Sequence, residues 1–222
     1  MLAVFDKSVA KSPDGLSVGE QSQAVSALKN GFLANHFASV HSGSVTVNLG
    51  SSGVMAYTRE KQNPLFPRLF AVLDEIFCIF QGHIENVAVL KQQYGLNKTA
   101  DEGIIVIEAY RTLRDRGPYP PDQVVRDIQG KFVFIYSFLF YCLVQDADGS
   151  VPFFWGTDAD GHMVLADDEE IVKKGCGKSS APFPKGESYK GLSPNPSSAS
   201  LFIHSVLLHF LWRVKELRAS PE

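Results

Sequence analysis

Apolar and polar residues fall into three patterns along this chain, and each predicts a different element. Continuous apolar runs occur at Met1–Phe5 and Ile76–Phe80. The first reads as an edge or opening strand, and the second is short enough for a buried strand. Strict alternation at Val45, Val47 and Leu49 predicts a half-buried strand over Ser44–Leu49, with a turn at Gly50–Gly53 and a return over Val54–Tyr57. Helical spacing follows Ile84, where Asn86, Leu90 and Tyr94 are four apart and Val87 shares a face with Leu90. Gln81-Gly82 is expected to break the preceding strand in a sharp turn, because glycine accepts the required backbone angles. Gly95 suits the left-handed residue that ends a helix, with Leu96 folding back onto the last turn.

A second helix follows. Ile104, Ile107, Tyr110 and Leu113 recur every three residues, and Thr99 with Glu102 has the spacing of a capping box. Arg114 and Arg116 fall in its last turn, where positive charge complements the helix dipole, and Gly117-Pro118 stops it. The polar, Ser-rich stretch Asp6–Gly43 holds a weaker helix, in which Val25, Leu28, Phe32 and Phe37 share a face that Gly31 interrupts. Pro120-Pro121-Asp122 starts a short third helix that ends at Gly130.

The C-terminal half returns to strands. Lys131–Phe134 begins one, and Ser137–Gln145 is solidly apolar, a surface that something must cover. Two DADG tetrads, Asp146–Gly149 and Asp158–Gly161, read as hairpin turns. A calcium loop needs further ligands and a closing Glu, which neither supplies. Val151–Trp155 and His162–Ala166 are further strands, and Asp167–Glu170 opens a short helix with acids at its positive end. Strands, then helices, then hairpins indicate an α+β fold. The expected organisation is one domain over 1–186, then a Ser/Pro-rich linker and apolar helical tail over 187–222.

Composition narrows the function classes. The 222 residues are 45% hydrophobic with 16 Phe, enough for a core. A net charge of -3 gives no electrostatic reason to expect nucleic acid or an anionic membrane as partner. Cys78, Cys142 and Cys176 show neither pairing logic nor metal-ligand spacing, which suggests a reducing compartment. His36 and His41 lack a nearby acid or thiol and are expected to be solvent-exposed. Met1–Phe5 has no basic leader, and Phe132–Val144 and Leu201–Trp212 are too short to span a bilayer. These features predict a cytoplasmic or nuclear protein with no cofactor, no metal and no transmembrane segment.

The segment QGHIEN, residues 81–86, resembles the NGEIYN segment of class II glutamine amidotransferases. Tyr94-Gly95-Leu96 and Leu113-Arg114-Asp115-Arg116 narrow the likeness. On these motifs the chain is identified as a member of the plant aluminium-induced proteins with YGL and LRDR motifs, also called the stem-specific or wheat aluminium-induced type. The likeness covers about Ser44–Phe134 and Asp146–Gly186, and lapses over Ser137–Gln145 and after Gly186. It implies the four-layer αββα sandwich of N-terminal-nucleophile hydrolases, short of its last strands.

The resemblance also implies a site and exposes its gaps. Active class II amidotransferases carry Cys at the second codon, exposed by removal of Met, as the nucleophile. Leu2 stands there, and Ser8 lies beyond the strand. Gln81-Gly82 replaces the Asn-Gly of the oxyanion hole. Arg59 loosely fits the spacing of the glutamine-binding Arg, Arg68 fits it badly, and both are expected on the solvated surface. The family's binding acid falls at Ala100, with Asp101 one position off. The pocket candidates are therefore Gln81, Gly82, Arg59 and Asp101, with no catalytic residue. YGL and LRDR both have a plain account as helix ends. The resemblance implies a non-catalytic, stress- or hormone-responsive binding module, acting on an unidentified protein partner or by self-association. The alternatives are a glutaminase-type hydrolase with another nucleophile and a small-molecule sensor using a degenerate pocket.

Overall fold

Two antiparallel sheets face each other, and helices cover their outer faces. The first sheet runs edge to edge as β10 (Ser180–Pro182), β8 (Phe154–Thr157), β9 (Met163–Ala166), β1 (Leu2–Phe5), β3 (Gly53–Tyr57) and β2 (Val45–Asn48). The second runs β11 (Ser188–Lys190), β7 (Tyr141–Gln145), β6 (Gly130–Ser137), β5 (Ile76–Ile84) and β4 (Arg68–Leu73). Helices α1 (Phe32–Val40) and α4 (Glu169–Cys176) lie on the first sheet. Helices α2 (Val87–Tyr94) and α3 (Glu102–Arg116) belong to the outer face of the second. The computed structural model describes residues 1–10, 16, 25–60, 62–116, 127–137, 141–185 and 188–190.

Three apolar clusters correspond to the three interfaces. Met1, Ala3, Phe5, Ile79, Val133, Ile135 and Leu165 pack between the sheets. Leu2, Val4, Leu33, Phe37, Ile171 and Val172 pack under α1 and α4. Cys78, Phe80, Leu90, Ile105, Tyr110 and Phe134 pack under α2 and α3. Strand β1 is fully buried because its residues alternate between two of these clusters, so a continuous apolar run is what its position requires. The arrangement is α+β, with the αββα layering that the resemblance implies.

Several elements differ from the expectation. Strand β5 does not turn at Gln81-Gly82 but runs on to Ile84, paired with β6 throughout. Gly82 has φ 129°, and a Cβ there would sit 2.1 Å from the Lys131 carbonyl oxygen. Glycine is needed for a close strand approach, not for a corner. Gly31, at φ 65°, precedes α1 and does not interrupt it. The cap of α3 is Asp101, whose Oδ1 accepts from the Ile104 N–H at 2.9 Å. Thr99 instead donates its own N–H to Asn97. Strand β11 lies past the expected boundary at 186 and extends the second sheet by pairing with β7. There Leu143 and Val144 are buried, so part of the apolar Ser137–Gln145 segment is covered. Phe138 and Phe140, the helix expected from Pro120 and the tail Leu201–Leu217 lie outside the described residues.

Helix α2 ends as expected. Gly95 takes φ 65°, its N–H meets the Gln92 carbonyl at 3.3 Å, and the Leu96 N–H meets the Lys91 carbonyl at 2.8 Å. Tyr94 and Leu96 pack on the cluster beneath. Both DADG tetrads make turns, with Asp146 accepting from the N–H groups of Asp148 and Ser150, and Asp158 from those of Asp160 and His162. No described helix is long and apolar enough to cross a membrane.

Candidate functional site

Sheet register builds the site. Leu2 pairs with Ala166, so the residues just before and just after this pair, Met1 and Asp167, also lie opposite each other. The Asp167 N–H meets the Met1 carbonyl at 3.3 Å. The Met1 α-amine forms an ion pair with Asp167 Oδ1. From the facing sheet, Arg68 at the start of β4 reaches the same carboxylate, with Nε 2.9 Å from Oδ2 and Nη2 also bonded there. Arg68 Nε also lies 3.3 Å from Oε1 of Gln81, its register partner on β5, and Nη1 donates to the Thr58 carbonyl at 3.4 Å. Met1 is 1% exposed, Gln81 7% and Thr58 2%.

Two cations therefore share one buried carboxylate. Burial favours the neutral form of Asp167, but the α-amine and Arg68 outweigh it and hold its carboxyl below the ordinary 3.8. Burial pulls the α-amine below its ordinary 8.0, and nearby Arg68 adds to this against the attraction of Asp167. His41, just after α1, faces the same cluster. Its ring lies 4.4 Å from that of Phe37, and its Nε2 is 3.9 Å from Asp168 Oδ2. That nitrogen is buried and makes no hydrogen bond. Burial and the nearby α-amine lower the imidazole pKa.

The predicted residues divide. Gln81 and Gly82 lie buried on β5, and Gln81 is in the site. Arg59 is exposed, and Asp101 is an exposed helix cap. Arg68 and His41, expected on the solvated surface, both belong to the site. Asn86 ties the start of α2 to the segment before β6, donating to the Asp127 carbonyl and accepting from the Gln129 N–H. Leu113–Arg116 are the last turn of α3. Ala100 and Glu102 line a groove of ≈ 800 Å³ beside α2, whose lining does not include Gln81 or Arg68.

Among the described residues, two cysteines and one cluster of metal-ligand type have structural roles. Cys78 and Cys176 are buried in the two outer clusters, where desolvation pushes both thiols up. Asp158, Asp160 and His162 lie close together, but the Asp158 oxygens accept from the backbone of Ala27, Asp160 and His162. His162 Nδ1 accepts from the Lys7 N–H at 3.2 Å. This cluster holds a turn. Sequence reasoning missed Asp167, because an acid before a helix looks like a dipole partner whichever way it points.

A sequence profile for a family described as aluminium induced protein matches residues 2–194. The stem-specific protein TSJT1 of Nicotiana tabacum is 41% identical over 136 residues, covering 61% of this chain and 91% of that protein. Among solved structures, the glutamine phosphoribosylpyrophosphate amidotransferase of B. subtilis, complexed with ADP and GMP, aligns with a TM-score of 0.47 at 15% identity. It covers 63% of this chain and 32% of that one. An allosteric regulatory enzyme of purine biosynthesis aligns at 0.46 and 16% identity, covering 63% and 33%. The chain thus spans about a third of the length of these two solved structures.

Proposed function

The chain belongs to the aluminium-induced protein family, and from that premise we propose that it is a non-catalytic, amidotransferase-like binding module. It would act in plant stress or hormone responses, in the cytoplasm or nucleus, through a protein partner. The observation that carries this reading is the occupancy of the head of β1. Met1 packs its thioether between the sheets and commits its α-amine to Asp167. The Leu2 side chain, at the position where the resemblance requires a thiol, packs in the cluster under α1 and α4, away from Arg68. A nucleophile and a free amine base are both missing from the arrangement that class II chemistry uses.

The sensor reading draws less support. Arg68 is the one guanidinium among the described residues beside Gln81, and it already spends Nε and Nη2 on Asp167. A ligand carboxylate would have to displace that internal partner to gain the same paired contact. The test is ammonia release from L-glutamine by the purified full chain. Release at the buffer background is expected, for the wild type and for Leu2→Cys, since Gln81 and Ala100 also depart from the site that the resemblance implies. Turnover that survives purification and disappears on a single-residue change would overturn the proposal.

A further inference from the structure

We infer that His41 is an acid-released gate at the mouth of the buried ion-pair site: uncharged it packs across the opening, and protonated it swings out and frees the head of β1. This goes beyond the proposed function and does not depend on it.

Exposure falls inward through the cluster. The side chains of Met1, Asp167 and Arg68 are 0%, 7% and 14% exposed, whereas those of His41 and Asp168 are 26% and 37%. The last two therefore form the rim. His41 directly follows α1 and Asp168 directly precedes α4, so the rim lies where the end of one helix meets the start of the other. The backbone at His41 is anchored on both sides. Its N–H meets the Phe37 carbonyl at 2.9 Å. The next residue, Ser42, bonds its hydroxyl to the Glu60 carboxylate and accepts from Thr58 Oγ1 at its carbonyl, at 3.1 Å. The part left free to move is the imidazole.

Charge decides which state is closed. The groups facing the ring are the Met1 amine from β1, Arg68 from β4, and Asp167 and Asp168 ahead of α4. Two cations thus meet two carboxylates. An uncharged imidazole leaves that balance intact and lies against Phe37, with ring centres 4.4 Å apart. A proton adds a third cation and a second N–H, yet the buried Nε2 makes no hydrogen bond. The carboxylate at the rim, Asp168, has Oδ2 3.9 Å from Nε2, beyond hydrogen-bond reach. Its Oδ1 accepts from the Glu170 N–H at 2.9 Å as the cap of α4, which fixes the carboxylate away from the ring. Swinging outward gives up the Phe37 contact and places the charge in water, where it is best solvated. Burial, then the Met1 amine and Arg68, outweigh the pull of the two carboxylates and hold the ring below the ordinary 6.5, in line with release on protonation.

The test is hydrogen–deuterium exchange of the full chain, read by peptide mass spectrometry at about pH 7.5 and about pH 5, either side of an ordinary histidine pKa. Rates are corrected for the intrinsic pH dependence of amide exchange. The informative amide is Asp167, whose N–H bonds to the Met1 carbonyl, and peptides of β5 report global opening. In the wild type, protection at Asp167 should fall about tenfold at the lower pH while β5 stays unchanged. His41→Gln, uncharged throughout, should keep the higher protection at both pH values. His41→Arg, charged throughout, should show the lower protection at both. If His41→Arg fails to fold, the wild type and His41→Gln decide. Protection at Asp167 that ignores pH, that falls equally in His41→Gln or together with β5, or that rises at low pH because His41 closes on Asp168, overturns the inference.

Discussion

Replacing Asp167 by Asn tests the electrostatics of the site. The change removes one negative charge but keeps nearly the same shape. Two cations would then face each other without a counter-charge, one on a buried residue and one on an Arg side chain that is 14% exposed. Removing one partner of a buried pair costs about 3–5 kcal/mol, a large part of the roughly 5–15 kcal/mol that stabilises a domain. The α-amine can relieve this by losing its proton. Its folded pKa already lies below the ordinary 8.0, so between the two values the unfolded state binds more protons. Stability therefore rises with pH through that window and levels off above 8.0. Without Asp167 the folded pKa falls further and the window widens. Urea denaturation of both proteins at about pH 6 and about pH 9, either side of an ordinary amine pKa, should show a larger deficit at the lower pH. In the wild type, the Asp167 contribution is present above 3.8 and is lost as pH falls through its lower folded value. A deficit under about 1 kcal/mol, equal at both pH values, would mark the pair as an ordinary surface contact and refute the reasoning.

Two glycines should behave differently on replacement by Ala. Gly82→Ala forces a Cβ to 2.1 Å from a backbone oxygen and should cost about 3 kcal/mol or more, whereas Gly95→Ala meets open space at φ 65° and should cost about 1 kcal/mol. Chemical denaturation of the two variants checks both. The β4–β5 turn places Asp74 at φ 48° and Glu75 at φ 64°, so Glu75→Gly should raise stability by about 0.5–1 kcal/mol. A lower melting temperature would contradict this. Burial holds His41 below its ordinary 6.5, so stability should rise with pH between its folded value and 6.5. His41→Gln should flatten that part of the profile.

Local signals in the sequence reported local structure well. The period change after Ile84, the left-handed Gly95 and the two Asp-Gly turns each act within a few residues, and each appears where the pattern puts it. Gly82 was expected to make a turn and instead sits in β5, because the same residue also serves a close strand approach, and only pairing with β6 separates the two. The cap expected at Thr99 gives way to Asp101, the residue just before α3, whose carboxylate accepts from the Ile104 N–H. The site was hidden for a different reason. Arg68 and Asp167 are 99 positions apart and come from facing sheets, joined only through the register that sets Met1 opposite Asp167. No periodicity within either segment encodes that meeting. His41 likewise ends a weakly patterned helix, and packing alone turns its ring toward the cluster.

The central claim is that the chain's own α-amine closes the site by pairing with Asp167. Limited acylation of the folded protein with an amine-reactive reagent, followed by peptide mass spectrometry, reads this directly. The account predicts that exposed lysines such as Lys173 are modified while the Met1 amine is spared, and that Met1 reacts once the protein is unfolded in urea. Modification of Met1 in the folded protein at the rate of an exposed amine would contradict it.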